Sequence, residues 1–281
     1  MLTENFFIRG GHLYIVDPRQ YVIHKYDRDG SVVSTLKYED LLVQQDRGGS
    51  GGPPPPPEPI LDDNNNHPYI TLKGNVLLPA HKGGETLFEL RDWQGNHLAD
   101  IGEIPEGYDP MQERERIRAA VANRQVPRTD LHQAFPVSDR SNPGELFMVY
   151  SAIPKIAKYD MSGHKLWERE IPDTPEIDSL VSDLVYVMNE YNYRNAPRHR
   201  KYVWGTSSPA GDLYLSTYTN SSNPKSHRPL WIHQFSSEGE LIRRYKLQSE
   251  DELSYFPSID HSGRRIFTIL KEGLEIRAYT F

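Results

Sequence analysis

The stretch Lys155–Glu170, KIAKYDMSGHKLWERE, decides the fold. Ile156, Lys158 and Asp160 alternate with Ala157 and Tyr159, the two-residue period of a strand. Asp160-Met161-Ser162-Gly163 follows as a polar tight turn, closed by a glycine that tolerates positive φ. A second alternating strand runs from Lys165 to Glu170. The hairpin recurs as VIHKYDRDGSVVSTL (Val22–Leu36), LFELRDWQGNHLADI (Leu87–Ile101) and WIHQFSSEGELIRRYKL (Trp231–Leu247). Its other turn glycines are Gly30, Gly95 and Gly239. A short strand precedes each copy: HLYIVD, NVLLPA, ELFMVY and DLYLST. Before that comes a strand opened by an aromatic, at Phe6, Tyr69, Phe135 and Tyr202. A fifth copy starts at Tyr255, continues through RRIFTIL and stops on LEIRAYTF. FPVSD (Phe135–Asp139) and FPSID (Phe256–Asp260) are nearly the same phrase.

A unit of four short antiparallel strands cannot bury both faces alone, and stacking such units radially buries them against their neighbours. The expectation is an all-β chain, a β-propeller with four-stranded antiparallel blades, five of them detectable. A β-sandwich with several similar hairpins is the competing plan, and internal repetition decides against it. The phrasing of these blades resembles the bacterial six-bladed β-propeller proteins of the NHL-like class. That resemblance implies the fold and six blades, and suggests an exported protein. It implies no particular activity, since one propeller scaffold hosts many functions.

At 281 residues the chain is long enough for one large domain, and the repeats make 1–281 a single propeller. No apolar run approaches the roughly 18 residues needed to span a bilayer. Met1 to Asn5 lead almost directly into a strand, without the basic and apolar regions of a secretory signal. A net charge of −7 with no sustained basic stripe argues against nucleic acid as partner. Zero Cys removes disulfides and thiolate chemistry together.

Three long excursions interrupt the blades. Residues 39–67 are a low-complexity Gly/Pro-rich loop containing GGSGGPPPPPEP, with Pro53–Pro57 expected as polyproline II. Residues 105–133 and 172–201 are helical insertions, with helix expected over about 110–124 and 175–192. In the second, Thr174-Pro175 starts the helix, and Ile177, Leu180, Val181, Leu184, Met188 and Tyr191 form an apolar stripe. Label the strands of a blade a to d, from the axis outwards. All three excursions are d–a connections, and the long loop Tyr218–Pro229 is a b–c connection. In an up-and-down sheet these connections leave from the same end. Loops carry function on a rigid scaffold, so ligand contacts are expected on the d–a/b–c side. The candidates are Arg19, His81, Lys82, His132, Tyr202, Tyr218, His227 and Arg228. A basic and aromatic run, Tyr191 to Tyr202, offers further contacts for an anionic or carbohydrate ligand.

No G-x-S-x-G elbow, H-E-x-x-H pair, P-loop, EF-hand loop or dinucleotide fingerprint occurs. No cofactor is expected, and no catalytic or metal-binding residue is nominated. His24 and His233 share a repeat position but belong to non-adjacent blades, so they make no metal pair. The leading expectation is a non-catalytic binding or scaffold propeller holding a protein, peptide or glycan. The alternative is a metal-dependent hydrolase or lyase of the lactonase-like propeller kind, to which Asp139 and Asp260 could contribute. Their place at the end of strand a favours a turn role. The fifth blade lacks a d strand in the sequence. The expectation there is an N-terminally shortened form of a longer exported protein, with a five-bladed ring closed through Met1–Phe7 as the alternative.

Overall fold

Each phrase of the repeat becomes one antiparallel sheet. The structure is a computed structural model and describes residues 6–39, 68–80, 85–107, 119–120, 122–123, 125–126, 131, 133–190, 201–217, 229–248, 257–262, 264–269 and 275–281. The first sheet is β1 (Phe6–Arg9), β2 (His12–Asp17), β3 (Val22–Tyr26) and β4 (Val32–Lys37). The second is β5 (Tyr69–Ile70), β6 (Val76–Pro79), β7 (Thr86–Arg91) and β8 (His97–Glu103). The third is β9 (Ala134–Ser138), β10 (Glu145–Tyr150), β11 (Lys155–Asp160) and β12 (Lys165–Glu170). The fourth is β13 (Tyr202–Ser207), β14 (Leu213–Thr217), β15 (Leu230–Phe235) and β16 (Leu241–Leu247). The fifth has three strands among the described residues: β17 (Ser258–Asp260), β18 (Arg265–Ile269) and β19 (Ile276–Thr280). In every sheet the strands pair in sequence order. Residues 40–67, the bulk of the low-complexity loop, lie outside the described residues, as do Met1 to Asn5.

In each of the four complete sheets the last strand is the most exposed, as the outer edge of a blade is expected to be. In the third sheet every residue of β9 is buried, whereas in β12 only Trp167 is better than exposed. Contacts cluster into two compact units. One is Met1–Ile104 with Pro143–Leu146 and Tyr159–Lys165; the other is Pro105–Asn142 with Phe147–Lys158 and Leu166–Phe281. The core of the first includes Phe7, Tyr14, Ile23, Ile70 and Val76. The second has one cluster around Phe147, Tyr202, Leu215 and Phe235, and another around Tyr214, Ile232 and Ile266.

α1 (Pro175–Glu190) is the helix expected over 175–192. Ile177 joins the buried cluster of the second unit and Leu180 packs against it, as the apolar stripe requires. Of the other expected helix, Ala119, Ala120 and Ala122 are helical, and Asn123 N donates to Ala119 O at 3.0 Å. The rest of 110–124 lies outside the described residues except Asn123. No helix among the described residues is long and apolar enough to cross a membrane.

The turns repeat more strictly than the strands. In all four complete c–d hairpins the glycine N–H donates three residues back, as in Gly30 to Asp27 O (3.0 Å) and Gly163 to Asp160 O (3.1 Å). The first turn residue donates four residues forward, as in Asp160 N to His164 O (3.0 Å). The four glycines have φ between 82° and 88°, the left-handed region that L side chains avoid. The same turn closes the a–b hairpins at Thr71–Asn75 and Ser208–Asp212. Four aspartates, Asp29, Asp139, Asp160 and Asp260, each accept the backbone N–H and the hydroxyl of a serine two residues on. An Asp-x-Ser turn holds itself this way without help from the strands.

The c–d turns also dock sheets. Trp93, in the second sheet's turn, donates from Nε1 to Ser34 Oγ of β4 at 2.6 Å. Its ring meets Tyr14 edge-on at 5.4 Å. Trp93→Phe keeps the ring contact and removes the hydrogen bond. We expect a loss of about 1 kcal/mol in a denaturant titration; an unchanged midpoint would show that Ser34 does not hold this turn.

Candidate functional site

The chain direction of each strand fixes which connections share an end of the sheet, and backbone hydrogen bonds tie those connections together. In the third sheet, Ser151 in the b–c turn donates to Gln133 O, just before β9, at 2.7 Å. Ser151 O accepts from Lys201 N, just before β13, at 2.6 Å. Ile171 N, at the exit of β12, donates to Pro154 O in the same turn at 2.7 Å. In the first sheet Tyr38 N donates to Tyr21 O at 2.9 Å, again joining the d-strand exit to the b–c turn. The d–a and b–c connections therefore leave from one end of these sheets.

Of the eight residues nominated from sequence, two are described. Arg19 sits in the b–c turn of the first sheet with an exposed side chain. Its backbone is fixed by Asp17, whose Oδ1 accepts from the N–H groups of Arg19 (2.9 Å) and Gln20 (3.2 Å). Tyr202 is at the correct end of β13 but its side chain is inside: it is 0% exposed. As a surface contact it is corrected to a buried one, because its ring fills the core and its hydroxyl has a partner there. His81, Lys82, His132, Tyr218, His227 and Arg228 lie outside the described residues, as do Tyr191 to Arg200.

That partner is His233 on β15, and it opens a network that the sequence did not suggest. Tyr202 donates its hydroxyl to His233 Nδ1 at 2.6 Å. His233 donates from Nε2 to Glu176 Oε1 at 2.7 Å. The carboxylate accepts, so the tautomer with hydrogen on Nε2 is fixed. Arg244 on β16 donates from Nη1 to both carboxylate oxygens, at 2.9 and 3.2 Å. Glu176 lies in the first turn of α1, where a negative charge suits the helix dipole. Thr174 precedes it, and Asp178 N donates to Thr174 O at 2.9 Å to begin the helix.

Burial pushes the His233 pKa down to about 4, outweighing the pull of the Glu176 charge. Burial pushes Glu176 up, but its own backbone amide, His233, Thr174 and Arg244 hold it below the ordinary glutamate range. Burial, with the Glu176 charge, raises Tyr202 well above the ordinary phenol value. At neutral pH the network is thus a neutral imidazole between a phenol and a carboxylate. With Tyr202 and His233 sealed from solvent, its chemistry is structural: it joins the start of the helical insertion to its end.

His24 shares a repeat position with His233 but does a different job. Its Nδ1 lies 2.9 Å from Thr35 Oγ1, bonding at the surface. The position was visible in the repeats, whereas the contact with Glu176 spans 57 residues and has no local signature.

The aspartates weighed as metal ligands are both engaged at turns. Asp139 is buried, accepts from Ser141, and pairs through Oδ2 with Lys158 Nζ at 2.8 Å. Burial pushes its pKa up, but Lys158 and Ser141 outweigh that and hold it below the usual carboxylate value. Asp260 accepts from Ser262 and faces Arg265 at 3.7 Å.

No family model and no curated protein matches the chain. Among solved structures the chain is similar to a member of the DUF4221 family from Bacteroides vulgatus. The TM-score there is 0.51 and the identity 8%, over 96% of this chain and 76% of that one. It is also similar to virginiamycin B lyase from Staphylococcus aureus, at a TM-score of 0.47 and 11% identity, over 98% of this chain and 69% of that one. A third is BamB from Moraxella catarrhalis, at 0.40 and 12%, over 98% and 71%. At such identities the likeness is one of fold, and the repeated four-stranded sheets make the chain a β-propeller.

Proposed function

We propose that the protein is a binding propeller that holds a protein, peptide or glycan at the d–a/b–c ends of its sheets. The observation that carries this reading is the hydrogen-bonded chain Gln133–Ser151–Lys201, which ties long connections to a rigid b–c turn. Variable loops on fixed stems are the usual arrangement of a recognition surface. Arg19 fits it, with a pinned backbone and a side chain in solvent. The metal-dependent hydrolase reading has weaker support, since Asp139 and Asp260 both serve turns.

The test is a screen of immobilised peptides and glycans with the intact protein, followed by alanine changes at Arg19, His81 and His227. Binding should weaken about tenfold or more, and for Arg19→Ala, at an exposed side chain, stability should move by less than about 0.5 kcal/mol. A footprint on the c–d turns instead, at Asp29, Gln94, Ser162 and Glu238, would overturn the assignment.

A further inference from the structure

A cleft of about 470 Å³ opens between the fourth and fifth sheets, within the range of small-ligand sites. It lies at their a–b turns, Ser208 to Asp212 on one side and His261 and Arg264 on the other. This is the opposite end of the fourth sheet from its d–a and b–c connections.

Its lining combines three chemistries. Rings supply the first: Tyr245 and Phe281 meet at 5.0 Å, and Tyr214 and His261 at 5.1 Å. A fixed polar rail supplies the second. Tyr245 donates its hydroxyl to Gln234 Oε1 at 2.7 Å, and Gln234 Nε2 donates to Asp212 Oδ2 at 2.9 Å. Positive charge supplies the third. The Arg243 guanidinium lies 5.9 Å from the Tyr245 ring centre. Arg264 borders the cleft with a left-handed backbone, φ 49°, and its carbonyl accepts from Phe281 N at 3.0 Å.

Tyr214, 4% exposed, lends its ring to the wall. One buried polar atom in this lining is unmatched. It is His261 Nε2, buried without a hydrogen-bond partner among the described residues. Buried polar groups are ordinarily satisfied, and a cleft lining that leaves one open has capacity for a ligand's own polar group.

We propose that this cleft binds a uronic acid, free or as the end residue of a longer glycan. The apolar face of a sugar ring suits the aromatic walls. Its vicinal hydroxyls suit the Gln234–Asp212 rail and His261 Nε2. Its carboxylate suits guanidinium groups, which match planar anions by geometry as well as charge. The net charge of −7 opposes anions at long range, so selection of one here rests on the local arginines.

The test is calorimetric titration of the full chain with D-glucuronate, with D-glucose and benzoate as comparisons. Glucose keeps the ring and hydroxyls without the carboxylate; benzoate keeps the carboxylate without the hydroxyls. Glucuronate should bind at least about tenfold more tightly than either, and Arg243→Gln should cost that preference over glucose. Arg243 is on the surface of an edge strand, so the variant folds. Arg19→Ala should leave glucuronate affinity unchanged, which separates this site from the partner surface proposed above. A di-uronate binding more tightly than the monomer identifies a glycan end as the source, and equal binding identifies the free sugar. No glucuronate binding, equal binding of benzoate or glucose, or an unaffected Arg243→Gln overturns the proposal.

Discussion

Replacing His233 with alanine should lower the unfolding free energy by about 3–4 kcal/mol, measured by denaturant titration at pH 7.5. The imidazole is 0% exposed and bridges the Tyr202 hydroxyl to the Glu176 carboxylate. Its removal leaves a cavity, a buried phenol without an acceptor and a carboxylate reduced to its Arg244 contacts. Arg244→Ala should cost less, because its side chain is partly solvated and His233 still serves Glu176.

The same residue sets an acid dependence. An unfolded histidine takes up a proton near 6.5, whereas folded His233 does so only near 4. As pH falls through this window the unfolded state gains a proton that the folded state lacks, so stability declines. The decline from this group is on the order of 3 kcal/mol and ends below pH 4. Glu176 is also held below its ordinary value, so its contribution is present at neutral pH and is lost further into acid. His233→Ala should flatten the profile between pH 6.5 and 4; an unchanged slope there would remove His233 as its cause.

Gly163→Ala and Gly30→Ala should differ sharply although the two turns are alike. Both glycines have left-handed φ, 88° and 84°, and an L side chain there costs roughly 1–2 kcal/mol. At Gly30 an added Cβ meets nothing within 4 Å. At Gly163 it would sit 2.5 Å from the backbone carbonyl oxygen of Asp100, which cannot move without distorting β8. The expected losses are about 1 kcal/mol for Gly30→Ala and about 3 kcal/mol or more for Gly163→Ala. Equal losses would mean that the third sheet's turn does not rest against the second sheet as described.

This contrast shows what the sequence could and could not tell. The glycine, the aspartate and the alternation around Asp160 are local, and local chemistry is enough to write a turn. Four copies of it identified the fold class. What Gly163 touches is settled by packing over 63 positions of chain, and no motif encodes that. Tyr202 failed for the same reason: it opens a strand beside basic residues, as a surface tyrosine would, and only the packing of the sheet puts it inside. The helix start at Thr174-Pro175 was legible, but Glu176 as the partner of His233 was not. The cleft residues Arg243, Tyr245 and Phe281 come from two sheets, and strand periodicity marks them only as outer-strand positions.

The network Tyr202–His233–Glu176 has a consequence for how this scaffold tolerates change. The helical insertion 172–201 leaves the third sheet beside Pro154 and enters the fourth beside Ser151, and its two stems are clasped through one buried imidazole. A segment whose roots are fastened independently of its tip is an exchangeable cassette. Lengthening it adds only a logarithmic closure cost, about 0.6 kcal/mol per doubling. Substitutions that keep Glu176, His233 and Tyr202 therefore leave this clasp intact.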